Sequence, residues 1–182
     1  MVRFFVQNNF RNMTYKAAII MGSRSDLPIM QEAIKILNEY NVAFETYTIN
    51  KEKIVEEISS ISREAYAKKV RVIIAGTRGD ASFSNTIAEY FNVPIIGIPC
   101  RSENSLNSLQ SLFGVLQQPN EHAVANVAFD SGQNAGILAV QILALSNKSL
   151  QNRIIAFKEN LKDKILKANQ ELTQVKFEYK IN

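Results

Sequence analysis

The sequence predicts a doubly wound α/β domain, a mostly parallel sheet in a three-layer flavodoxin- or Rossmann-like arrangement, followed by a long C-terminal helix. Three observations predict it. Short apolar runs alternate with stretches of helical periodicity along most of the chain. The first run, residues 16–21, is nearly continuous in apolar character, as a strand covered on both faces must be, while residues 42–49 alternate. The breaks between them fall on Gly, Ser, Asp and Pro, which end strands and open helices. Five strands alternating with helices specify a parallel sheet with helices on both sides.

The elements follow in order. Residues 1–15 are a mildly basic N-terminal extension, residues 16–146 the α/β domain, and residues 147–182 an amphipathic helix expected to form an oligomer contact. Residues 16–21, KAAIIM, read as the first strand and stop at Gly22-Ser23-Arg24-Ser25-Asp26. Pro28 is tolerated in a first helical turn, because its missing donor would have no intrahelical partner there. That helix carries Ile29, Met30, Ala33, Ile34 and Leu37 on its apolar side. Residues 42–49 form the second strand, and 52–67 a helix with Ile54, Ile58, Ile61 and Ala65 inward. Residues 70–75 form the third strand, closed by Gly76-Thr77-Arg78-Gly79-Asp80, with a short helix at 86–91. The fourth strand covers 93–98 and is stopped by Pro99. Helical residues 106–116, a fifth strand at 124–129 and a helix at 132–145 complete the domain. The tail, 150–180, places Ile154, Leu161, Ile165, Ala168, Leu172, Val175 and Tyr179 on one seam. From Leu161 its steps alternate four and three, the heptad spacing of a helix that packs on another.

Composition narrows the function classes. The net charge of +4 is confined to the tail: residues 1–146 hold 13 basic and 13 acidic side chains, residues 147–182 hold 8 and 4. A neutral body with a basic tail does not build the cationic face of a nucleic-acid binder. One cysteine and one histidine make neither an internal disulfide nor an ordinary zinc site. No apolar run reaches membrane-spanning length, and residues 1–15 lack the apolar centre of a secretory signal. The expectation is a cytoplasmic protein with no metal, no cofactor, no nucleic-acid partner and no membrane partner.

The loops beyond the strands' carboxyl ends are where such folds bind ligands. Gly22, Ser23, Ser25 and Asp26 could cradle an anion: glycine allows close approach, hydroxyls add donors, and the helix that follows offers backbone N–H groups. Asp26 could equally be a helix cap. The glycine spacing is neither that of a Walker loop nor that of a dinucleotide fingerprint.

The stretch AAIIMGSRSDLPIMQEA resembles the opening of the carboxyaminoimidazole ribonucleotide mutases and carboxylases, with their strand, GS-x-SD turn and first helix. The likeness continues through VIIAGTRGDASFSNTIA, VPIIGIPC, SLFGVLQQP and GQNAGILAVQILAL, covering residues 16–145 in order. The resemblance implies a phosphoribosyl aminoimidazole ligand, with phosphate and ribose around Ser23 and Asp26. It also implies an octamer with shared active sites. In the mutases a carboxylate moves from the exocyclic nitrogen to ring carbon 4; the carboxylases use free carbon dioxide.

Departures from the family pattern fall on the catalytic positions. Where the family carries S-A-H-R-T-P, this chain has Thr48-Ile49-Asn50-Lys51-Glu52-Lys53, with Asn50 at the histidine and Lys51 at the arginine. Where the family carries A-G-x-x-x-A-x-H-L-P-G-M, residues 75–86 put Ser82 at the second histidine. Asparagine has no proton-transfer pKa near neutrality, whereas imidazole titrates there. Asp26, Asn50, Ser82 and His122 are therefore the candidate catalytic positions, with Asp26 or the relocated His122 as substitute base. Gly22, Ser23, Ser25, Asp26, Lys51, Gly76, Arg78, Gly79, Asp80 and Arg101 are the candidate ligand contacts. Arg78 with Asp80, and Arg101 with Glu103, either bind a second anionic group or form surface ion pairs. Cys100 reads as a small buried hydrophobe rather than a nucleophile. Three functions stay open: a divergent enzyme on a phosphorylated ribose compound, a retained mutase or carboxylase, and a non-catalytic binding or assembly protein.

Overall fold

The computed structural model describes residues 16–49, 54–78, 80, 82–101 and 122–174. The chain divides into two compact units, Met1–Leu143 and Ala144–Asn182. The first holds a five-stranded sheet in the order β2-β1-β3-β4-β5, with every pairing parallel. Its strands are β1 (Lys16–Met21), β2 (Ala43–Thr48), β3 (Val70–Arg78), β4 (Ile95–Cys100) and β5 (Val124–Asn126). Strand order reverses between β1 and β3, the switch point where ligands bind in this topology. The helices are α1 (Leu27–Glu39), α2 (Ile54–Ala67), α3 (Phe83–Ala88) and α4 (Gly132–Ala144).

Strand alternation assigns the two faces. Ala18 and Ile20 of β1, Ile73 and Ala75 of β3 and Ile95 of β4 pack with Ile58, Ile61, Phe83 and Ile87 from α2 and α3. Their neighbours Ala17, Ile19, Val72 and Ile74 are equally buried and, one residue out of phase, point the other way, toward α1 and α4. Met30, Ala33, Ile36 and Leu37 form the buried stripe of α1; Ile36 replaces the expected Ile29 and Ile34, which are half-buried.

Glycine brings α4 against α1. A Cβ on Gly132 would overlap the Ile29 carbonyl oxygen, and one on Gly136 would lie 2.8 Å from Ile36 Cβ and 3.0 Å from the Ala33 carbonyl oxygen. Contacts under 3.0 Å are closer than a Cβ tolerates without a shift, so the two backbones meet this closely because both positions lack one.

Three strand ends differ from expectation. β3 runs on through Gly76, Thr77 and Arg78, which pair with Ile98, Pro99 and Cys100. Pro99 therefore lies inside β4 rather than stopping it. β5 reaches no further along β4 than Gly97, and the Pro99 carbonyl accepts the Asp130 N–H instead (3.0 Å). The missing proline donor thus falls on a flank where no strand needs it. α3 begins three residues earlier than expected, and β5 ends three residues earlier. The expected helix at 106–116 lies outside the described residues.

The second unit contains α5 (Lys148–Gln174), a helix of 27 residues. Asn147 caps it, its side-chain oxygen accepting the Leu150 N–H at 3.1 Å. Along the expected seam, Leu161 and Ile165 are 49% and 55% exposed. Val175 and Tyr179 lie outside the described residues. No described helix is long and apolar enough to cross a membrane.

Candidate functional site at the sheet switch point

The turn after β1 and the end of β3 meet at the switch point, and Asp26 joins them. Its carboxylate is fully buried. Oδ2 accepts the Thr77 hydroxyl at 3.0 Å, and Oδ1 accepts the Arg78 backbone N–H at 3.2 Å. It makes no side-chain cap bond to α1. A buried carboxylate is tolerated when its oxygens are hydrogen-bonded, and these bonds are charge-assisted. Asp26 therefore fastens the first loop to the third strand from behind.

In front of it the loop is open. Gly22 and Ser23 are half-buried, Arg24 and Ser25 exposed. Residues 24–26 form a short 3₁₀ turn before α1. Ser23 Oγ accepts both the Ser25 N–H (3.2 Å) and the Ser25 hydroxyl (3.0 Å). The Asp26 N–H donates to the Ser23 carbonyl at 3.1 Å, and the Leu27 N–H to the Arg24 carbonyl. The expectation of free backbone donors at this helix head thus needs correction. The chain itself takes up the amides of residues 25–27, which leaves the hydroxyls of half-buried Ser23 and exposed Ser25 as the loop's donors.

The loop after β3 is built around Asp80. Its Oδ1 accepts the Ser82 N–H at 3.0 Å and the Ser82 hydroxyl at 2.7 Å, folding the chain into the start of α3. Gly76 is buried within β3, not in the loop. A Cβ there would lie 2.6 Å from the Ile98 carbonyl oxygen and 2.9 Å from Met30 Cε, so its smallness serves packing. Arg78 is half-buried at the strand end.

At the end of β4, Asp130 is the organiser that the sequence did not reveal. It adopts a left-handed backbone (φ 54°), and its carboxylate accepts the Arg101 N–H at 2.9 Å. The Arg101 guanidinium lies 3.4 Å from its other oxygen. The Arg101 side chain is exposed, so the ion pair itself contributes little. Cys100 is buried between these groups. Burial first, then the negative charges of Asp26 and Asp130, push its thiol up to about 12, with Arg78 acting in the opposite direction. Such a thiol stays protonated and is no nucleophile at neutral pH.

The structure thus brings Gly22, Ser23, Ser25, Asp26, Arg78, Asp80, Ser82 and Arg101 to the carboxyl ends of the strands. His122 is exposed and lies two residues before β5, whose first residue pairs with the first residue of β4. That is the opposite end of the sheet, so the described protomer does not group it with the others. Asn50, Lys51, Gly79 and Glu103 lie outside the described residues. Thr77 and Asp130 were missed. The one signal for Asp130 was an isolated acid before Ser131-Gly132, where the chain must turn into a helix. Among the described residues, no cluster of three potential metal ligands occurs.

A family model described as AIR carboxylase matches residues 16–164. The chain belongs to the AIR carboxylase family. The match runs past residue 145, into α5. An N5-carboxyaminoimidazole ribonucleotide mutase of Thermotoga maritima is 34% identical over 167 residues, 92% of this chain and 97% of the relative. One of Pyrococcus abyssi is 36% identical over 147 residues, 81% and 84% of the two chains. A phosphoribosylaminoimidazole carboxylase of Schizosaccharomyces pombe is 36% identical over 157 residues, 86% of this chain but 28% of that longer protein. The crystal structure of Treponema denticola PurE superimposes with a TM-score of 0.76 at 20% identity, covering 88% of this chain and 99% of that one. This likeness confirms the fold expected of an AIR carboxylase relative.

Proposed function

We propose that this chain binds a phosphoribosyl ligand of the aminoimidazole ribonucleotide type, as a divergent family member whose mutase chemistry is lost or altered. The observation that carries the reading is the exposed pair of Ser23 and Ser25 hydroxyls at the switch point, held from behind by the buried Asp26 carboxylate. Both hydroxyls bond to one another and can exchange that bond for a phosphate oxygen. Lys51, from the neighbouring loop, would add charge as a point cation rather than a bidentate fork. The ring would lie toward the loop of Arg78, Asp80 and Ser82.

Altered chemistry follows from what these residues can do with a proton. Transfer of a carboxylate to ring carbon requires a group that takes the ring proton. Asp26 is sealed, with both oxygens engaged, and serves as a positioning residue. The Ser82 hydroxyl is committed to Asp80, and serine does not titrate near neutrality. Asn50 cannot act as a base. A positioned acid or base contributes about 100- to 10,000-fold, and neither Asn50 nor Ser82 supplies one.

Calorimetry with aminoimidazole ribonucleotide and its carboxylated forms tests the reading. Saturable binding that weakens in a Ser23→Ala, Ser25→Ala double variant supports it. A folded protein that binds none of them at about 1 mM refutes it. Retained mutase activity is the second reading, favoured by the match along nearly the whole length of the Thermotoga maritima mutase. It requires Asp26 to leave Thr77 and Arg78, or His122 to act from elsewhere in an assembly. Turnover measured alongside binding separates the two, and binding without turnover leaves a non-catalytic ligand-binding or assembly role. We further infer a homo-oligomer, an octamer by resemblance, with the exposed Leu161 and Ile165 of α5 covered by another copy.

A further inference from the structure

At the amino ends of the strands, away from the switch point, a cleft of about 670 Å³ opens between the end of α2, the start of β3 and the segment leading into β4. Its volume falls in the range of small-molecule sites. β3 separates the two places by its nine residues, roughly 26 Å at strand rise.

The chemistry of its walls is selective. Three aromatic rings line it, from Tyr66, Tyr90 and Phe91, together with the cations Lys69 and Arg71 and the amide of Asn92; no carboxylate lines it. Tyr66 is 89% exposed, an aromatic ring left almost wholly in water. Lys68, one residue earlier, is neutralised by Glu64 (2.7 Å) and Glu45 (3.0 Å). Lys69 and Arg71 are exposed and have no ion-pair partner among the described residues. Their placement is fixed by backbone: Lys69 takes a left-handed conformation (φ 57°), and its N–H donates to the Tyr66 carbonyl at 3.0 Å. The opposite wall is fixed too. Ser62 Oγ donates to the Tyr90 carbonyl at 2.7 Å, and the Ile73 N–H to the Pro94 carbonyl at 3.0 Å.

We propose that this cleft is a second binding site, for a planar aromatic phosphate monoester such as a nucleoside or aryl monophosphate. Aromatic faces stack on planar rings and also attract cations, so rings and cations side by side suit a ligand that joins a π-system to an anion. Two unpaired cations match the charge of a phosphate monoester at neutral pH, between about one and a half and two negative charges. A carboxylate carries one and leaves a cation unmatched. The backbone of the walls is held before the ligand arrives, so binding orders side chains and not the chain that carries them.

Titration of the full chain with adenosine 5′-monophosphate, phenyl phosphate, adenosine and inorganic phosphate, followed by calorimetry and ligand-observed NMR, tests the site. Both monoesters should bind, with adenosine and inorganic phosphate each at least about tenfold weaker. A Lys69→Ala, Arg71→Ala double variant should weaken monoester binding at least about tenfold while leaving thermal stability and oligomer mass unchanged. The Ser23→Ala, Ser25→Ala variant should leave it intact, so failure here is distinguishable from failure at the switch point. Three results overturn the proposal: no saturable monoester binding at about 5 mM, binding that depends on the serines but not on Lys69 and Arg71, or a change of oligomer mass in the cation variant. The last would make the cleft a contact between copies.

Discussion

Replacing Asp26 with alanine removes the two side-chain bonds by which it ties the Gly22–Asp26 turn to the end of β3. Two charge-assisted bonds vanish at once, leaving the buried Thr77 hydroxyl and the Arg78 N–H without their acceptor. Bonds to a charged group contribute about 1.5–3 kcal/mol each, and their effects overlap because they share one carboxylate. A combined loss of roughly 3 kcal/mol is expected, equivalent to about 6–12 °C in Tm for a chain of this size. Circular dichroism melts at fixed protein concentration measure it, since any oligomer would make Tm concentration-dependent. Asp26→Asn should lose less than half as much, because its carbonyl still accepts the Arg78 N–H and Thr77 can reorient to accept from the amide. An alanine variant melting within about 1 °C of the parent would show that the carboxylate does not hold the two loops together.

Other expectations follow from single observations. Gly136→Ala should destabilise by about 1–3 kcal/mol, read as a lower urea midpoint with unchanged slope, because its Cβ would press on Ile36 and the Ala33 carbonyl. Cys100 should resist alkylation at pH 8 in the native protein and react readily in denaturant. Its thiol is raised from 9.0 to about 12, so the unfolded chain ionises first and stability from this group falls as pH rises between those values. Asn50→His combined with Ser82→His should raise mutase turnover above that of the parent; an unchanged rate would show that the loops differ by more than two side chains. A chain ending at Asn147 should contain fewer subunits on sizing, and an unchanged subunit number would remove α5 from the assembly contact.

The architecture was legible because the central strands are nearly continuous in apolar character and the helices are periodic. KAAIIM and VRVIIA have one reading each. The ends were less legible, for a local reason. Gly76-Thr77-Arg78 has the composition of a turn, yet Gly76 is small because β4 and Met30 crowd it, and Thr77 is polar because Asp26 waits across the sheet. Both causes are long-range, and nothing within several residues announces them. Pro99 misled in the same way: its harmlessness depends on where β5 stops. At the site, the sequence marked Ser23, Ser25 and Asp26 but could not separate the exposed hydroxyls from the sealed acid. Asp130 escaped because its partners, Pro99 and Arg101, are about 30 residues away in sequence.

The contact of Gly132 and Gly136 with α1 bears on how this cleft could change its guest. With Gly132 against the Ile29 carbonyl, the first turn of α1 sits close to the serine loop, and a tilt of that helix toward α4 would drive two backbones into each other. The frame around the cleft behaves as a fixed socket. New specificity on such a socket has to come from exchanging the side chains that project into it.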